Sequence, residues 1–148
     1  MNTGGSGPRP AQCQGGSGPC VLVVDDQPAN LELVRAVLEL DGFEVVAAAD
    51  SAEADIEVRR HRPSLVLLDL QLPREDGLTL LARWRADPST ASLRVVAFTA
   101  YAMAGDRERF LAAGWDGYIG KPIDVGRFAA QVRSLLVDDG GGDTPAPD

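Results

Sequence analysis

Short apolar runs alternate along the chain with longer stretches in which apolar residues return every three or four positions. Val21-Leu22-Val23-Val24 is apolar without a break and stops at two acids, the pattern of a strand covered on both faces. Leu31, Val34 and Leu38 then recur at helical spacing, and Asp41-Gly42 supplies a helix stop. Phe43 to Ala47 predicts a second strand. Asp50 or Ser51 can cap a second helix running to about His61, which Pro63 brings to an end. Ser64 to Leu68 is the most strand-like run in the chain, Gly77 to Arg85 is helical, and Pro88 halts that helix. Leu93 to Phe98 predicts a fourth strand and Met103 to Ala113 a fourth helix, with Gly114 just past its end. Trp115 to Ile119 reads as a fifth strand, and Asp124 as the cap of a last helix whose apolar face is Phe128, Val132, Leu135 and Leu136.

Five strand–helix pairs with strands apolar on both sides predict an α/β fold: a doubly wound, five-stranded parallel sheet covered by helices on each face. Such sheets bind ligands outside the carboxyl ends of their strands, so the residues at those five ends matter most. They are Asp25-Asp26, Ala48-Ala49, Asp69, Thr99-Ala100 and Gly120-Lys121.

Composition narrows the function classes. The chain has 148 residues, 45 % of them hydrophobic, which suits one domain with a packed core. Residues 1–19 and 138–148 are rich in Gly, Ser, Pro and Asp and are expected to be flexible tails around a body at 20–137. A formal net charge of -8 repels phosphate backbones and anionic lipid, arguing against direct DNA binding and against a membrane surface. No apolar run approaches the roughly 20 residues that span a bilayer, and the N-terminus has no apolar stretch resembling a secretion signal. A cytoplasmic location is expected. Cys13 and Cys20 are expected as free thiols, and with His61 the only histidine there is no His/Cys metal site in prospect. His61 falls near a helix C-terminus, where partial positive charge complements the dipole.

The strand ends carry the chemistry. Three carboxylates in one cleft repel one another, and a hard dication with oxygen ligands relieves that repulsion. A metal bridging carboxylate and phosphoryl oxygens, with an ammonium and a hydroxyl for the remaining oxygens, is what phosphoryl transfer to a carboxylate requires. Taken singly, each feature has a plainer use: an Asp-Asp pair can cap a helix, a Thr suits a strand, and Lys-Pro is a common loop.

In order, they resemble a response-regulator receiver domain over residues 20 to about 137. The matching segments are Val23-Val24-Asp25-Asp26, Leu67-Leu68-Asp69 with Pro73 and Asp76-Gly77 behind it, Phe98-Thr99-Ala100, and Lys121-Pro122 with Tyr118 three residues earlier. The resemblance implies strand order 2-1-3-4-5, Asp69 as nucleophile and phosphoacceptor, and Mg²⁺, with Mn²⁺ as an alternative, held by Asp26, Asp69 and the main-chain carbonyl of Gln71, with Asp25 acting through water. It further implies that Lys121 pairs with phosphoryl oxygens, that Thr99 and Tyr118 act as switch residues, and that the Lys121-Pro122 bond is cis. Partners would be a sensor histidine kinase or histidine phosphotransfer protein as phosphodonor and a downstream protein target, in the manner of single-domain receivers and hybrid-kinase receivers. Such a protein is not an enzyme beyond its own phosphorylation and dephosphorylation. Leu72 stands where methionine is frequent, and Gln71 and Tyr101 occupy positions that vary within the family. Tyr101 is a candidate shield of the acyl phosphate against water. Two alternatives stay open: a phosphorylation-independent scaffold, and a Mg²⁺-dependent phosphohydrolase, which would want a second acid where Gln71 stands.

Overall fold

The computed structural model describes residues 18–100 and 106–137. Both expected tails, apart from Gly18 and Pro19, and the segment containing Tyr101 and Met103 lie outside the described residues. In chain order the elements are β1 (Cys20–Val24), α1 (Pro28–Leu40), β2 (Glu44–Ala48), α2 (Ser51–His61), β3 (Leu65–Asp69), α3 (Gly77–Ala86), β4 (Val95–Thr99), α4 (Asp106–Ala112), β5 (Gly117–Gly120) and α5 (Phe128–Val137). All strand pairings are parallel, and the sheet order is β2-β1-β3-β4-β5.

The alternation of side chains across each strand divides the interior in two. Val21, Val23, Leu65, Leu67, Val96 and Phe98 pack with Val34 and Leu38 of α1 and with Phe128 and Val132 of α5. Leu22, Val24, Val66, Leu68 and Ala97 pack on the other face with Leu80, Leu81 and Trp84 of α3 and with Ala54 and Val58 of α2. The three inner strands are buried at every position, which is why they read as unbroken apolar runs. Each fully buried Leu, Val or Phe contributes about 1.5–3 kcal/mol, so these layers fix where the strands stop and hence where the polar residues emerge.

Local signals set the joints. Asp50 caps α2 by accepting the Glu53 N–H at 2.8 Å, and Asp76 caps α3 by accepting that of Thr79 at 2.9 Å. Gly114, at φ +107°, takes the left-handed turn after α4 that a side chain would strain.

Several boundaries differ from the expectation. β5 begins at Gly117 and not Trp115, because the Trp115 N–H turns back to the Phe110 carbonyl and its buried ring packs edge-on against Phe110. Asp124 does not cap α5 directly. Its carboxylate accepts the Gly126 N–H at 3.1 Å in a turn that delays the helix to Phe128. Of the expected Met103–Ala113 helix, Asp106–Ala112 forms α4, and Met103 to Gly105 lie outside the described residues. Cys20 is disulfide-bonded, contrary to the expected free thiols. The expectation rested on a cellular compartment read from the sequence, whereas a thiol's pairing follows its redox surroundings, which the sequence does not carry. Cys13 itself is outside the described residues. Among the described residues no helix is long and apolar enough to cross a membrane.

At the amino ends of the strands a cleft is lined by Pro19, Pro63, Ser64, Arg94 and Leu136. There Arg94 donates to the carbonyls of Leu135 and Leu136 at 2.6 and 2.5 Å, binding the last turn of α5 to β4.

Candidate functional site

At the opposite edge, the carboxyl ends of β1 and β3 lie side by side, in register through Val24 and Leu68. Asp25 follows β1 directly, while Asp69 is the last residue of β3. Both are buried, at 0 % and 6 % exposure, whereas Asp26 is open to solvent. Each of the three offers a carboxylate oxygen, and these oxygens lie within 4.8 Å of one another.

Lys121 reaches in from just past β5. Its Nζ donates to Asp25 Oδ2 at 2.9 Å and to Asp69 Oδ2 at 3.1 Å. Its main-chain N–H bonds the Thr99 carbonyl at 2.9 Å, which ties the lysine to the end of β4, and the Lys121–Pro122 peptide bond is cis. The ammonium also stands 5.2 Å from the centre of the Phe98 ring. Thr99 is buried, at 1 % exposure, on the same row of strand ends.

Backbone donors steady the acids. Asp25 Oδ1 accepts the Gln27 N–H at 2.9 Å, and Oδ2 accepts the Asn30 side-chain amide at 3.2 Å. Asp69 Oδ1 accepts the Gln71 N–H at 3.0 Å. The loop after Asp69 folds tightly back: a Cβ on Gly77 would fall 2.3 Å from the Asp69 carbonyl oxygen, so only glycine fits there.

Burial pushes the Asp69 carboxyl above its ordinary range. The Gln71 amide and the Lys121 ammonium pull it back only in part, and the Asp25 charge adds to the rise. For Lys121, burial works against the charge, but its bonds to Asp25 and Asp69 outweigh burial and hold the ammonium above its usual value. A buried carboxylate whose free lone pairs face two other acids, with one cation between them, is a site that a hard dication fits.

The structure thus brings Asp25, Asp26, Asp69 and Lys121 together, with Thr99 and Gln71 at the rim. Tyr118 sits on β5 opposite Ala97, with its ring 5.4 Å from that of Phe110 on α4. Asn30 and Phe98 also touch the site, and sequence reasoning gave neither a role. The only sequence signal for Asn30 is its place on the first turn of a helix five residues after Asp25. Phe98 gives none, because an aromatic before a strand end is ordinary core.

The model of the response regulator receiver domain matches residues 21–133. The polar-differentiation response regulator DivK of Brucella anthropi is 39 % identical over 118 residues, 80 % of this chain and 96 % of its own length. Its counterpart in Brucella ovis is 38 % identical over the same span. Among solved structures, the receiver domain of a sensor histidine kinase from Pseudomonas aeruginosa PAO1, with a magnesium ion coordinated in its active-site cleft, has 31 % identity and a TM-score of 0.71, covering 81 % of this chain and 98 % of that one. A CheY-like response regulator receiver domain protein from Methanospirillum hungatei JF-1 has 30 % identity and a TM-score of 0.69, covering 81 % and 94 %. With this sheet order, this cluster of acids and these relatives, the chain belongs to the response regulator receiver domain family of two-component signalling.

Proposed function

We propose that the chain is a phosphorylation-operated switch in which Asp69 receives a phosphoryl group from a phosphohistidine on a sensor histidine kinase or a histidine phosphotransfer protein. The observation that carries this reading is the Lys121 ammonium bridging Asp25 and Asp69 at 2.9 and 3.1 Å inside a three-carboxylate cluster. Asp26, Asp69 and the Gln71 carbonyl would hold Mg²⁺, or Mn²⁺, with Asp25 acting through water. The bound dication supplies charge neutralisation to the incoming phosphoryl oxygens.

The steps belong to the chain's own residues. A carboxylate oxygen of Asp69 attacks phosphorus in line, and the donor's P–N bond breaks with its electron pair left on the imidazole. Lys121 is already bonded to the nucleophile and can turn its remaining donor to a phosphoryl oxygen. The Thr99 hydroxyl bonds another, drawing the end of β4 inward, and Tyr118 follows into the space released. That changes the surface around α4, β5 and α5 that a downstream protein target reads, or the phosphoryl group passes onward in a relay. Phosphorylation adds charge and acceptor oxygens at one point, and its effect is the difference in how well two conformations accommodate them. Agreement over nearly the full length of the Brucella proteins supports a response regulator that acts through protein contacts.

Incubation with Mg²⁺ and acetyl phosphate, followed by intact-mass measurement, tests the proposal. Wild type should gain one phosphoryl group, chelator should abolish the gain, and Asp69→Asn should show none. No adduct under any condition, even with a beryllofluoride mimic, would favour the phosphorylation-independent scaffold. Turnover of an external phosphate ester would favour the hydrolase.

A further inference from the structure

The loop between β3 and α3 leaves the sheet at Asp69, passes Gln71 and returns at Gly77, whose N–H donates to the Leu70 carbonyl at 2.9 Å. That bond fixes its near end beside the acids. Its far end is held differently. Arg83 on α3 donates from Nε to Glu75 Oε2 and from a terminal nitrogen to Glu75 Oε1, both at 2.9 Å, a two-pronged grip on the loop. The same terminal nitrogen reaches Asp55 Oδ2 on α2 at 3.0 Å. Asp55 is itself anchored, since its Oδ1 accepts the indole N–H of the buried Trp84 at 2.8 Å.

Between the two ends the backbone is forced. The Glu75 N–H donates to the Pro73 carbonyl across a single residue at 2.7 Å, and that residue, Arg74, has φ +70°. A non-glycine side chain is strained there and stays only where its surroundings hold it. The Arg83 bond, aided by Ser51, keeps the Glu75 carboxyl below its usual range despite burial.

We propose that Arg83 is a positioning residue for the cation site: by clamping Glu75 to Asp55 it holds the strained turn at Arg74, and through that turn the backbone of Gln71, in the geometry that receives the metal. This rests on the reading of Asp26, Asp69 and the Gln71 carbonyl as the ligands. Its distinctive consequence is a coupling between metal affinity and an ion-pair triad on the outer surface of α2 and α3, none of whose members touches the acids.

The structure supplies a control. Arg59 on α2 pairs with Asp87, just past α3, at 3.2 Å. That pair also joins α2 to the end of α3 but makes no contact with the β3–α3 loop. Magnesium chloride is titrated by calorimetry into the full chain as wild type, Arg83→Met, Glu75→Gln, the double variant and Arg59→Met, with urea unfolding of each alongside. Arg83→Met and Glu75→Gln should each weaken Mg²⁺ binding about tenfold, the low end of what supporting groups around a metal site show. The double variant should be no weaker than either, and Arg59→Met should bind as wild type does. Saturating Mg²⁺ should restore the full phosphoryl yield in Arg83→Met, since the loss lies in affinity and not in the acceptor.

Unchanged affinity in Arg83→Met, or an equal loss in Arg59→Met at matched stability, would overturn the proposal. A wild type that takes up no Mg²⁺ would overturn the ligand reading first and this inference with it, a result visible in the first titration.

Discussion

Asp69 pulls in two directions on stability. Its carboxyl is raised in the folded chain, chiefly by burial, so the folded state binds that proton more tightly than the unfolded state does. The stability linked to this group is therefore fully present below the ordinary carboxylate range and lost as pH rises through the raised value. Asp69→Asn should have a higher Tm than wild type at pH 7 in chelator, and the gap should close as pH falls toward 4. Thermal scans across that range decide it, and a wild type that is the more stable at neutral pH would contradict the direction. The residues of the site were legible in unequal measure. Asp25, Asp26, Lys121 and Asp69 itself stand at strand ends and could be read from where apolar runs stop. Asn30 and Phe98 could not, because a helix amide beside Asp25 and a strand aromatic beside the Lys121 ammonium look the same in sequence as ordinary helix and core residues.

At the scale of elements, apolar periodicity exposed the strands that are buried on both faces and blurred those at the edge. β1 and β3 are covered throughout and appear as unbroken runs. β5 is an edge strand half open to solvent, and Trp115 next to it is as apolar as a strand residue while serving a turn. Ties across long sequence separations left no periodic signal at all. Arg85 on α3 is the clearest case. It donates to the Gly114 carbonyl at 3.1 and 2.8 Å, to those of Leu93 and Ala91 at 2.6 and 3.0 Å, and to Asp116 at 2.9 Å. One half-buried guanidinium thus satisfies the ends of two connections, that between α3 and β4 and that between α4 and β5. Arg85→Ala should lower stability by about 2–3 kcal/mol, read as a lower urea midpoint at unchanged slope, because it strips charge-assisted partners from carbonyls sheltered from water. A shift below a few tenths of a kcal/mol, as surface ion pairs give, would mean that water replaces the arginine freely.

For the molecule as a whole, the parallel sheet puts the acids at one edge and leaves the rest of the surface for contacts. A ligand that binds only the folded chain stabilises it, by about 1.4 kcal/mol at ten times its dissociation constant. Adding Mg²⁺ should therefore raise the Tm of wild type and do so less, or not at all, for Asp69→Asn, the reverse of the order in chelator. An equal rise in both proteins would place the ion elsewhere. The opposite edge has its own consequence. Pro19, just before β1, and Leu136, near the end of α5, line the same cleft. The folded body is therefore entered and left through neighbouring doorways, on the side turned away from the acids. Neighbouring ends make a portable module: such a body can be spliced into a host loop or threaded between two other domains with little distortion of either. Cargo fused at either doorway would trail behind the molecule and leave the approach of a phosphodonor clear.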